Sequence, residues 1–206
     1  MNSLMPIFPL VEMSMTCALV IIWILQKASP QDFPLALKVT LLVVLGNLFF
    51  WPLGFSLELP LVAYVRGMVG DLSIVTTLLL WSAVLLSTKP APTSFKAFIV
   101  IVAIIFYPLA LGFGMTDPYA WGYASLPFLI AVLLIALICG LGNWSRGVWI
   151  IAIAIIAWAA HWHESANLWD YLLDPLLAIW AVAALIAMIY QKRRDKARSG
   201  YLFRAG

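Results

Sequence analysis

Arg66 heads a stretch, RGMVGDLSIVTT, that is otherwise apolar enough for a membrane. If residues 61–77 form one helix, Arg66, Gly70, Ser73 and Thr77 fall at i, i+4, i+7 and i+11, a polar stripe on one face. A guanidinium matches phosphate or carboxylate in a bidentate way, so Arg66 with Ser73 and Glu12 forms a candidate anion- or substrate-binding set. Glu12 lies about one turn inside the first apolar run, with Ser14 and Thr16 nearby. It reads as an interfacial acid or a partner for Arg66, or as a substrate-binding or proton-carrying carboxylate. For Arg66 the internal partners on offer are Glu12, Glu58 and Asp71.

Three further acids could act as acid or base: Asp71, Asp170 and Asp174. In WDYLLDP, Asp170 and Asp174 stand at i and i+4 and would share a face of a helix. Two such carboxylates are tolerated best beside a cation or a shared proton, and Arg66 is the candidate cation. Asp71, Asp117 and Asp174 each precede a hydrophobic or proline-led stretch, the pattern of a helix N-cap. HWHE places His161, His163 and Glu164 together, a weak divalent-metal candidate, with interfacial solvated histidines as the plainer reading. No other cofactor is implied. A nucleophile elbow, HExxH, a glycine-rich phosphate loop with lysine and paired mid-span histidines are all missing. Cys17 and Cys139 lie in apolar runs without a CxxC and read as small packing residues.

The elements that must position these groups follow from composition. Of 206 residues, 65% are hydrophobic and 10% charged, with a mean hydropathy of +1.03. Soluble domains carry about a quarter charged residues, so this is an all-α, polytopic membrane helix bundle. Seven stretches are apolar enough to cross: residues 9–26, 33–55, 61–87, 95–115, 125–141, 145–161 and 169–190. Alternatively, 57–69 is an interfacial or re-entrant piece and the third span starts at Asp71. The start, MNSLMPIFPL, lacks a basic n-region and a small-residue cleavage site, so the first run reads as a retained span. Residues 1–190 form one transmembrane domain, and 191–206 a short basic tail.

That tail holds six of the twelve Lys and Arg residues, which predicts a cytoplasmic C-terminus. Counting back through seven spans puts the N-terminus outside. Lys27, Lys38, Lys89, Lys96 and Arg146 then fall inside with the tail, and Arg66 alone falls outside with seven of the nine acids. Trp51, Trp121, Trp162 and Trp169 read as an outer aromatic belt, and Trp23, Trp81 and Trp144 as an inner one. The basic excess is accounted for by orientation, which argues against nucleic-acid binding. The expected location is a bacterial plasma (inner) membrane.

Three functions compete. An accessory or platform subunit would bind an anionic lipid headgroup, a lipid-linked substrate or a partner protein on its extracytoplasmic face. A membrane-embedded transferase or hydrolase would hold a lipid-linked phosphate at Arg66 and use Asp71, Asp170 or Asp174 as acid or base. A small transporter ranks third, because the polar groups do not continue into the cytoplasmic half.

Overall fold

The computed structural model describes residues 7–52, 58–86 and 89–202, with side chains described as far as 196. Among them, the secondary structure is entirely helical: α1 (Ile7–Ala28), α2 (Leu35–Phe50), α3 (Leu61–Val69), α4 (Ile74–Leu85), α5 (Thr93–Ala110), a 3-10 turn (Tyr119–Gly122), α6 (Leu126–Leu141), α7 (Ser145–Ala159), α8 (Trp169–Leu172) and α9 (Pro175–Leu202). Ile7–Ala28, Thr93–Ala110 and the stretch Trp169–Lys196 are long and apolar enough to cross a membrane; α2, α4, α6 and α7 are shorter apolar helices. Large side chains such as Ile104, Leu137, Ile156 and Ile179 remain more than half exposed, as an apolar solvent permits.

Two departures from the expected spans matter for the site. Residues 61–87 do not form one helix. The chain breaks at Gly70, whose φ of 78° and ψ of −173° suit glycine alone. The helix restarts at Ile74 with Ser73, not Asp71, as its N-cap: Ser73 Oγ accepts the Thr76 N–H at 3.2 Å. The proposed stripe of Arg66, Gly70, Ser73 and Thr77 therefore does not exist as one helical face. Leu57 and the residues just before it lie outside the described residues. The second departure is in WDYLLDP. α8 stops at Leu172, and Leu173 is extended (φ −140°, ψ 130°), so Asp170 and Asp174 are not on successive turns of a helix.

The chain divides into two compact units, Met1–Pro90 with Tyr119–Asp174, and Ala91–Pro118 with Pro175–Gly206. In the first, α1 runs beside α4. Leu19 and Ile22 of α1 cluster with Val84 of α4, with Leu41, Leu42 and Leu45 of α2 packed against them. A second cluster joins Met13 of α1, Val62 of α3 and Leu72. Lys38 Nζ, at the start of α2, donates to Val84 O at 3.0 Å, a cation on the carbonyl end of α4. Arg146, at the start of α7, donates to Lys89 O at 2.7 Å. Hence α2 and α7 run opposite to α4, and both their basic starts gather at its C-terminal end.

In the second unit, α5 packs on α9. Lys96 Nζ sits 5.8 Å from the Trp180 ring centroid, and Thr93 Oγ1 lies 3.3 Å from Met188 Sδ.

Helices α5, α6 and α7 end alike. In each, a residue with positive φ (Gly112, Asn143, His161) is followed by an N–H that reaches back five residues, to Pro108 O, Cys139 O and Ala157 O. This is the Schellman ending, which satisfies terminal carbonyls and turns the chain sharply. His161 is the left-handed residue of the α7 ending, and that turn throws Trp162 and His163 back over the bundle.

Candidate functional site

Three polar clusters collect at the end of the first unit where α4 begins. The innermost centres on Glu12, which is 7% exposed. Its Oε1 accepts from Thr77 Oγ1 at 2.8 Å. Its Oε2 accepts from Trp162 Nε1 at 2.7 Å and lies 3.1 Å from His163 Nε2. The carboxylate thus ties α1 to α4 and to the turn after α7. One turn further along α1, Thr16 Oγ1 accepts from Trp81 Nε1 at 3.0 Å.

His163 is 5% exposed and is not an interfacial, solvated side chain. Its ring stacks on Tyr171 with centroids 4.8 Å apart. Its backbone N–H donates to Tyr171 Oη at 3.0 Å, and that hydroxyl donates in turn to the carbonyl of Ser165 or His163. Nδ1 is buried without a partner among the described residues. An orphaned N–H costs more than an orphaned lone pair, so the network assigns the proton to Nε2, donated to Glu12. Pro9, Glu12, Met13, Thr16, Asp71, Leu72, Thr77 and His163 pack around this point and leave no room for a water molecule.

The second cluster is Arg66. Its Nε and Nη2 grip the two oxygens of Asp71, the Nη2 bond being 2.8 Å, and Nη2 lies 3.2 Å from Glu164 Oε1. The Gly70 turn makes the pairing possible by folding Asp71 back over the last turn of α3. The hydrogen bonds it donates to Asp71 push the guanidinium above its usual range, against the opposing effect of burial. Leu10, Ala63, Arg66, Gly67, Gly70, Asp71 and Glu164 line an open groove of about 390 Å³.

The third cluster serves two acids separately. Asp174 Oδ2 accepts the Ser73 N–H at 2.9 Å and the Thr76 hydroxyl. It supplies an anion to the N-terminal end of α4, where the helix dipole favours one. Asp170 Oδ2 accepts from Tyr119 Oη at 2.9 Å and from Ser165 Oγ. Burial, then hydrogen bonds to Tyr123 and Asp170, raise the Tyr119 pKa and keep it a phenol that donates. Asn167 locks this corner: its Nδ2 donates to Tyr119 O at 2.8 Å, and its Oδ1 accepts the Trp169 N–H at 2.9 Å. A methyl on Gly122 would overlap that amide, so the close approach requires glycine.

Arg66, Asp71 and Glu164 are thus brought together, and so are Glu12 and His163, and Ser73 and Asp174. Asp170 and Asp174 hold different partners. Among the described residues Arg66 pairs with Asp71 and Glu164, not with Glu12, Asp170 or Asp174. His161 is exposed at its turn, and among the described residues no group of three His, Cys, Asp or Glu side chains is placed to hold a metal.

Trp162, Trp81, Thr76, Ser165, Tyr119 and Tyr171 join these networks without having been singled out for them. Trp162 and Trp81 read in sequence as belt residues. The available signal was only that an indole N–H can donate but not accept, so each indole facing the interior needs an acceptor. No family model matches the chain, and neither does any curated protein or solved structure.

Proposed function

We propose that this chain is a seven-span protein of a bacterial plasma membrane, N-terminus extracytoplasmic and C-terminus cytoplasmic. In this reading it is an accessory or platform protein. Its outer face binds the headgroup of a lipid or lipid-linked molecule, and through it engages a partner. The observation that carries the reading is the groove at Arg66: an open concavity whose lining combines a guanidinium with the apolar Leu10 and Ala63. A charged head joined to an apolar tail matches such a lining.

Charge distribution supports the orientation. Lys38 and Arg146 gather at the C-terminal end of α4, while Arg66, Asp71 and Glu164 lie towards its start. Basic residues on one side are what cytoplasmic loops carry. At nine residues, α3 rises only about 14 Å and does not cross, so it belongs to the outer interface. Binding is favoured over turnover by the acids themselves. Asp71 is engaged by Arg66, Asp170 by Tyr119 and Ser165, and Asp174 by Ser73 and Thr76, so each is already an acceptor.

The test has two arms. Cysteines at positions 164 and 196 should label from opposite sides of sealed vesicles; same-side labelling rejects the orientation. Native mass spectrometry of the protein released from its membrane should show bound lipid that Arg66→Ala loses. Equal lipid retention in both proteins would remove the site.

A further inference from the structure

We infer that the groove at Arg66 takes a phosphoethanolamine group, a phosphate ester carrying a primary ammonium, rather than a purely anionic headgroup. The inference rests on the reading above that this groove holds a headgroup. It follows from the charges in the lining. One guanidinium faces two carboxylates, so the groove carries one net negative charge before anything binds. A phosphoglycerol head would add a second negative charge to it. A phosphoethanolamine head adds none, and it offers each sign to a matching partner.

The free valences agree. Arg66 is 20% exposed, and its Nε and Nη2 are committed to Asp71. Nη1 has no partner among the described residues, which leaves its two N–H donors for a phosphate oxygen. Glu164 is the most open member of the trio, at 68% exposed, and touches Arg66 only at 3.2 Å. It is placed to accept from an ammonium. A choline head carries no N–H to donate and is recognised by aromatic faces, and this lining contains no aromatic residue. Room for the head comes from Gly67 and Gly70, where an added Cβ would meet nothing within 4 Å.

The experiment uses the full chain in detergent. It is titrated with phosphatidylethanolamine, phosphatidylglycerol and phosphatidylcholine of identical acyl chains, and occupancy is read by native mass spectrometry. Phosphatidylethanolamine should be retained about tenfold over the other two, the size of one charge-assisted hydrogen bond. Arg66→Ala should abolish the preference, and Glu164→Gln should shift it towards phosphatidylglycerol. Gly67→Leu, which favours the helix and fills the groove, should lower occupancy by all three. Soluble O-phosphoethanolamine and inorganic phosphate are then added as competitors. Displacement by the former alone assigns recognition to the free head, and displacement by neither assigns it to the intact lipid. Arg66-dependent retention of phosphatidylglycerol over phosphatidylethanolamine overturns the inference but leaves a headgroup site standing. Retention of no lipid in an Arg66-dependent way overturns both.

Discussion

Replacing Glu12 tests the innermost cluster. Its carboxylate accepts from Thr77, Trp162 and His163 while almost fully buried. Glu12→Ala leaves three buried donors without an acceptor. Each such donor costs about 1–3 kcal/mol, and partial relaxation or water entry recovers some of it, so the total loss should be about 3–6 kcal/mol. Glu12→Gln behaves differently. Its carbonyl can face Trp162 and His163, and its amide can donate to Thr77 Oγ1, because a hydroxyl also accepts. Only the charge assistance disappears, a loss of about 1–2 kcal/mol. The assay is unfolding in mixed micelles followed by tryptophan fluorescence, with wild type, both variants and a cycle through Thr77→Val. Removing Thr77's hydroxyl removes one of the stranded donors, so the Glu12→Ala/Thr77→Val pair should lose less than the sum of its single losses. Equal losses for Glu12→Ala and Glu12→Gln, or strict additivity in the cycle, would refute the reasoning.

Two further substitutions probe the break between α3 and α4. Asp174→Ala removes the acceptor for the Ser73 N–H and the Thr76 hydroxyl; it should cost about 1–3 kcal/mol and speed amide exchange selectively at Ser73, and unchanged exchange there would contradict the assignment. Gly70→Ala meets no atom within 4 Å but must adopt φ 78° and ψ −173°, so a loss of about 1–3 kcal/mol is expected from the backbone alone. The same variant should weaken the Arg66–Asp71 grip; thermal unfolding within about 0.5 kcal/mol of wild type would show that the turn is not strained.

The long apolar helices were legible because hydropathy integrates over about 20 residues and three of them are long and uniform. The break at Gly70 was legible only as the alternative, a separate 57–69 piece ahead of a span from Asp71, and the turn itself was not. Hydropathy barely distinguishes RGMVGDLS from a helical turn, and the deciding fact is one backbone angle. The turn is further underwritten by Asp174, about a hundred residues away, and no local pattern reports that. WDYLLDP misled for the opposite reason. Its i,i+4 spacing is real, but Leu173 is extended, so the spacing has no helix to act on. HWHE invited a reading by alternation, with His161 and His163 on one face. The structure does not follow that alternation: after the turn at His161, the adjacent Trp162 and His163 both reach Glu12, while Glu164 meets Arg66.

That last arrangement links the two clusters that matter. His163 and Glu164 are adjacent in the chain, one held by Glu12 and stacked on Tyr171, the other mostly exposed beside Arg66. Asp71 borders both the tightly packed surroundings of Glu12 and the open groove at Arg66. The inner cluster has little freedom, because the Glu12 carboxylate on α1 is held by three donors, one on α4 and two in the turn after α7. The outer cluster keeps an Nη1 without a partner among the described residues and an exposed carboxylate, Glu164. A rigid base beneath an unsaturated rim is the arrangement that lets a binding surface spend little entropy on ordering itself when a ligand arrives. In the proposed reading, the same division lets Arg66 be an internal ion pair and a binding residue at once: Asp71 fixes its plane through Nε and Nη2 and leaves Nη1 without a partner among the described residues.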